Sequence, residues 1–209
     1  MDIKNYDELN SLELDTLCEI GSIGTGNAAT ALSQLVGKSV RITPPEVRIM
    51  GYNEAIEWIG GPEEITAGVL VKLGGEINGI MLSVQKLDFT NLILSSMLDE
   101  TVSEYSQLQE LERSALIEVG NIMISTFINA LSGLAGLSIE LTVPAFTVDM
   151  QGAIMTVPMA EYGGQSDYIM TIGGDFICDS HKVPCRLLLS PDIRSLNFLL
   201  GKLGVSGGE

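Results

Sequence analysis

The second half of this 209-residue chain repeats the first. Shifted by 99 positions, residues 15–45 (DTLCEIGSIGTGNAATALSQLVGKSVRITPP) fall without a gap on residues 114–144 (SALIEVGNIMISTFINALSGLAGLSIELTVP). Twelve of the 31 pairs are identical: Leu17/Leu116, Glu19/Glu118, Gly21/Gly120, Ile23/Ile122, Ala31/Ala130, Leu32/Leu131, Ser33/Ser132, Leu35/Leu134, Gly37/Gly136, Ser39/Ser138, Thr43/Thr142 and Pro45/Pro144. A period this long marks a duplicated subdomain, because solenoid repeats are shorter. The expectation is one domain over 1–209, made of two repeats at about 10–100 and 106–204 and related by a pseudo-twofold axis.

Each repeat opens with helical periodicity. In the second, Leu108, Leu111, Ala115, Ile122, Ile124 and Leu131 recur at helical spacing and predict a broad apolar surface. Ser11 is the expected cap of the first helix, Ser106 and Gln109 have the spacing of a capping box, and Gly37 and Gly136 are natural stops. Strand-like runs follow at Ser39–Thr43, Val47–Met50, Ser138–Thr142 and Phe146–Met150, punctuated by Pro44, Pro45 and Pro144. Gly68–Leu73 and Gly79–Val84 then flank a Gly74–Gly75 turn, with a helix from about Asp88 to Leu98. In the second half Tyr168–Ile172 and Arg186–Leu189 read as strands, and Ser190-Pro191 as the start of a helix. The predicted class is α/β (α+β), with helices packed on one mainly antiparallel sheet built from both halves.

Apolar residues make up 45% of the chain, enough for an ordinary core. Its 11 basic and 27 acidic residues give a net charge of −16. That balance excludes the clustered cations on which nucleic-acid binding depends, and favours a partner with a basic patch. The polar N-terminus lacks the pattern of a signal peptide, no run of about 18 uninterrupted apolar residues predicts a membrane span, and three cysteines (Cys18, Cys178, Cys185) suit a reducing compartment. The expected location is cytoplasmic.

Polar residues interrupt the apolar helix at fixed places. The second copy reads Ser114-x3-Glu118-x2-Asn121, with Pro144 23 positions later; the first reads Asp15-x3-Glu19-x2-Ser22, with Pro45 at the same interval. Such spacing sets the three residues in one stripe on a helix face. Gly21 and Gly120 sit beside that stripe, where a glycine costs about 1 kcal/mol of helix stability, which predicts close approach of another backbone. A Glu and an Asn three apart on a helix are more often a solvated face; repetition with the same glycine and proline offset turns the reading towards function.

The pattern Asp/Ser-x3-Glu-x2-Asn-x22-Pro resembles the signature of the CheC, CheX and FliY phosphatases, and EIGSIGTGNAATALSQL is similar to the first helix of CheC. Two copies suggest CheC rather than CheX, which carries one working site, and no residues are left for the extra domain of FliY. The resemblance implies hydrolysis of the aspartyl phosphate of the response regulator CheY, with no cofactor of the chain's own and Mg²⁺ carried by CheY. By the same resemblance Glu118 pairs with a CheY lysine and Asn121 orients the attacking water, with Ser114 and Asp15 contacting the partner. Glu19 is a weaker counterpart, since Ser22 stands where the motif has Asn and is too short to hold a water in the same fork.

Other features carry less. Gly21-x2-Gly24-x-Gly26 lies inside a helix with no preceding strand, so helix packing is expected rather than nucleotide binding. Cys178-x2-His181-x3-Cys185 offers three ligands where structural zinc takes four, so no metal is expected. Asp149 replaces the apolar Met50 of the first copy. It is either a strand-end carboxylate facing water or part of a surface for CheD, the receptor deamidase that the resemblance supplies as a second partner. The alternative to an enzyme is a CheD-binding adaptor with weak phosphatase activity.

Overall fold

The computed structural model describes residues 2–164, 166–178 and 181–205. In chain order they form α1 (Ser11–Val36), β1 (Val40–Ile42), β2 (Glu46–Gly51), α2 (Tyr52–Ile59), β3 (Ile65–Gly75), β4 (Gly79–Gln85), α3 (Leu87–Met97), α4 (Glu110–Ala135), β5 (Ile139–Leu141), β6 (Ala145–Met150), α5 (Gln151–Tyr162), β7 (Tyr168–Cys178), β8 (His181–Pro191) and α6 (Ile193–Lys202). Short 3-10 turns at Tyr6–Glu8 and Tyr105–Gln107 precede the two long helices.

All strand pairs are antiparallel, and the eight strands form one sheet in the order β1-β7-β8-β4-β3-β5, with β2 also on β7 and β6 also on β3. The first two strands of each repeat therefore pair with the hairpin of the other repeat. Identical residues of the two copies make this exchange. Thr43 Oγ1 accepts from Asp175 N at 2.9 Å, and Thr142 Oγ1 accepts from Lys72 N at 3.0 Å, each across to the opposite repeat. Tyr6 and Tyr105, also 99 residues apart, each donate their hydroxyl to a strand-end carbonyl, Pro191 O and Gln85 O, at 2.6 Å. Gly37 and Gly136 end the long helices in the left-handed region at φ 65° and 64°, where glycine avoids the Cβ penalty.

Helices cover both faces of the sheet. On one, α1, α3, α4 and α6 bury Leu17, Leu32, Phe89, Ile93, Leu116, Phe127 and Leu196 against Val69, Val71, Met81, Ile172 and Leu187. On the other, α2 and α5 bury Ile56, Ile59, Ile154 and Met155 against Leu82, Ile169 and Leu188. This second layer is absent from the sequence reading. By length and composition α4 is apolar enough to cross a membrane, but Leu116, Val119, Met123, Ile124 and Phe127 are spent on the core.

Four local expectations are corrected. Neither Ser11 nor Ser106 caps a helix: Asn10 Oδ1 accepts from Glu13 N at 3.0 Å while Glu13 accepts from Asn10 N at 2.9 Å, and Gln109 N donates to Glu112 at 2.8 Å. The buried carboxylates Glu13 and Glu112 are thereby satisfied where the helix dipole favours negative charge. Ser190 and Pro191 end β8, and α6 is capped by Asp192, which accepts from Ser195 N at 2.7 Å. Gly74 and Gly75 end β3 rather than making the turn. Leu111 is 62% exposed and no part of the apolar surface.

Burial pushes the Cys185 thiol and the Tyr105 hydroxyl up, each to about 12. A folded state that holds these protons more tightly than the unfolded chain keeps their contribution in full below about pH 8.5 and loses it as pH climbs towards 12. The urea midpoint is expected to fall steadily between about pH 9 and 11. A flat profile there contradicts the burial of both groups.

Candidate functional site

The polar stripe of each repeat lies on the side of α1 or α4 turned away from the sheet. Asp15, Glu19, Ser22, Ser114 and Glu118 are exposed and Asn121 is half-buried. Glu118 and Asn121 stand about 4.5 Å apart along the axis and about 60° apart around it, which follows from helix geometry. Neither makes a side-chain hydrogen bond or ion pair with any described residue. A carboxylate and a carboxamide thus face outward side by side with their full bonding capacity unused. In that state they can grip a visiting cation and hold a water.

The first copy differs where the sequence does. Ser22 Oγ donates to Cys18 O at 2.9 Å, so its hydroxyl is spent on its own helix. Glu19 remains exposed, but nothing one turn further on can take the place of Asn121.

The glycines beside the stripes set the helices on the sheet. A Cβ at Gly120 would lie 2.6 Å from Val69 Cβ, and one at Gly21 would lie 2.4 Å from Val47 Cγ2. The close neighbour is a strand side chain, not a backbone as the sequence suggests. Gly24 seats the ring of Phe127 in the same manner, whereas Gly26 has nothing within 4 Å. Overpacking costs about 1–3 kcal/mol and a helical alanine recovers about 1 kcal/mol. Gly120→Ala is therefore expected to lower the thermal midpoint by up to roughly 8 °C. Gly26→Ala is expected to raise it slightly, and calorimetry of the pair checks the assignment.

One supporting residue has no signal in the sequence beyond a glutamine in an apolar strand. Gln85 is fully buried and donates Nε2 to Leu116 O at 3.1 Å. It fastens α4 to the sheet one helical turn before Gly120, so the segment carrying Glu118 is held at both ends.

Asp149 lies at the far end of β6, exposed, accepting from Met150 N at 2.7 Å. It borders a groove of about 290 Å³ lined by Gly68, Leu70, Leu82, Phe146, Ile154 and Val157. At the equivalent place of the first repeat the ring of Trp58, against Gly173 and beneath the guanidinium of Arg186 at 4.6 Å, lines a smaller cavity of about 160 Å³. Val157 stands where Trp58 would be, which leaves the groove wider. Cys178 and Cys185 are buried and Cys178 pairs with His181 across the β7–β8 hairpin, and no three His, Cys, Asp or Glu converge among the described residues.

The model of the CheC-like family matches residues 12–49 and 111–148, the same segment twice at the interval of the internal repeat. Both stripes and both prolines fall within the matched segments. The chain matches the CheC-like family over these two segments. Among CheC-like relatives, the "CheY-P phosphatase CheC" of Bacillus subtilis is 23% identical over 205 residues, spanning 96% of this chain and 98% of the relative. The crystal structure of Thermotoga maritima FliY superposes with a TM-score of 0.74 at 21% identity, covering 96% of this chain and 100% of that one. A chain of the CheX–CheY–BeF3–Mg complex from Borrelia burgdorferi matches with a TM-score of 0.52 at 16% identity, over 83% of this chain and 96% of that one. These superpositions share the CheC-like fold; the residues of the site are this chain's own.

Proposed function

We propose that this chain is a phosphatase for the aspartyl phosphate of CheY, with α4 as the working helix. The observation that carries the reading is the outward, uncommitted pair Glu118 and Asn121, framed by the family motif. Support comes also from the B. subtilis relative, whose name states that activity.

In this reading Glu118 reaches a lysine beside the phosphoaspartate and fixes the docking, with Ser114 beneath it on the same stripe. The Asn121 carboxamide accepts a hydrogen bond from water through its oxygen and donates through its nitrogen to a phosphoryl oxygen. The water then attacks phosphorus in line, the bond to the aspartyl oxygen breaks, and the carboxylate leaves with the electron pair. Phosphoryl transfer of this kind depends on positioning and charge neutralisation rather than covalent help. The protein supplies the positioning; the Mg²⁺ that neutralises the phosphoryl oxygens belongs to CheY. Glu19 docks the same partner more weakly in the first repeat, beside Asp15, without a residue to aim the water.

A second activity is favoured by one observation, the groove that Val157 leaves wider at Asp149. We assign it to CheD, with Asp149 as the charged rim. The chain then works as both phosphatase and adaptor. Adding it to phosphorylated CheY decides between phosphatase and pure adaptor: faster loss of phosphate supports the enzyme, and decay at the intrinsic rate with CheD still bound leaves only the adaptor. Asp149→Lys is expected to weaken CheD binding at least tenfold by calorimetry, and unchanged affinity removes that assignment.

A further inference from the structure

We propose that Leu111, and in the first repeat Leu12, extend the site into an apolar anchor for the same phosphorylated receiver protein. The inference rests on the phosphatase reading above. Exposed leucines are ordinary on a protein surface and singly mean nothing. What distinguishes these is their place. Of the exposed large hydrophobic residues among the described residues, Leu12 at 56% and Leu111 at 62% are the one pair related by the 99-residue repeat.

Both leucines fall on the stripe already described. Leu111, Ser114, Glu118 and Asn121 follow one another at intervals of three, four and three, which keeps them within about 80° of arc on one helix. Along the axis Leu111 stands about 10 Å from Glu118 and about 15 Å from Asn121. A standard interface covers about 800 Å² on each partner, a disc of radius about 16 Å, so a protein seated on the catalytic pair also covers the leucine.

The anchor is held ready. Leu111 occupies the first turn of α4, which the bond from Gln109 N to Glu112 closes at 2.8 Å, and Leu12 sits in the corresponding turn behind Asn10 and Glu13. A side chain displayed on a fixed turn loses little freedom on binding. The chain's charge of −16 opposes a second copy as the occupant and favours a partner whose docking face carries a lysine.

The test is a comparison of KM and kcat for hydrolysis of phosphorylated CheY by wild type, Leu111→Ala, Leu12→Ala and Leu134→Ala. Leu134 is likewise exposed, at 48%, but is turned about 140° from Leu111 on the same helix and serves as control. Truncation of an interface leucine is expected to raise KM about tenfold in Leu111→Ala with kcat unchanged. Leu12→Ala is expected to weaken binding of a second receiver, read by calorimetry with beryllofluoride-loaded CheY. An unchanged KM in Leu111→Ala, with Glu118→Ala still inactive, overturns the anchor and leaves the phosphatase standing. No acceleration by the wild type overturns both. A change of oligomeric state in Leu111→Ala by sedimentation gives the leucine to self-association and also overturns the proposal.

Discussion

Asn121→Ala lowers kcat for the hydrolysis of phosphorylated CheY about a hundredfold and leaves KM close to its wild-type value. In the proposed mechanism the carboxamide orients a water that becomes a nucleophile only in the transition state, so its loss falls on kcat. Glu118→Ala behaves differently. In the proposed mechanism the carboxylate grips the partner's lysine before and during the reaction, so its removal is expected to raise KM as well as lower kcat. Glu118 is exposed, Asn121 is half-buried, and neither side chain bonds to any described residue. The variants should therefore melt within about 2 °C of wild type, since substitutions away from such contacts stay within about 0.5 kcal/mol. Equal loss of activity and stability would mean the pair is structural.

The second large effect is a gain. Ser22→Asn introduced into Asn121→Ala is expected to recover a tenth or more of wild-type kcat, a rise of at least about tenfold over the single variant. The first repeat already has Asp15 and Glu19 on its exposed stripe, Gly21 seated against Val47, and Leu12 in the first turn. What it lacks is the carboxamide. Ser22 is exposed, so asparagine enters without repacking, and a side chain one atom group longer need not fold back on Cys18 O as the hydroxyl does. Rate measurements on the double variant check this. No recovery means that the two helices differ by more than one residue.

The repeat carries most of what is legible from the residues alone. It exposes the duplicated α1 and α4, the hairpins, and a polar stripe whose members turn out to face away from the sheet. The glycines and threonines common to both copies acquire their reasons only in three dimensions: Gly120 under Val69, Thr43 and Thr142 bonded into the opposite repeat. Other parts are hidden for physical causes. α2 has eight residues, and α5 contains Gly152 and Pro158, so neither displays a sustained helical period. Periodicity reads Leu111 as core because it counts a leucine without knowing where the sheet ends. Asn10 and Gln109, not the nearby serines, cap the long helices, because the buried Glu13 and Glu112 select the frame. The groove at Asp149 joins β3, β6 and α5, which are distant in sequence, and it is wider than its counterpart in the first repeat, where Trp58 replaces Val157. Gln85 is invisible until its partner, a carbonyl of α4, is in view.

The face of α4 that presents Ser114, Glu118 and Asn121 is the claim on which the rest depends, and site-specific photocrosslinking reaches it most directly. A photoreactive phenylalanine analogue at Ser114 should capture CheY when acetyl phosphate is present and release it from capture when acetyl phosphate is withheld. The same analogue at Lys202, at the end of α6, should capture nothing. Capture from Lys202 and none from Ser114 would contradict the account.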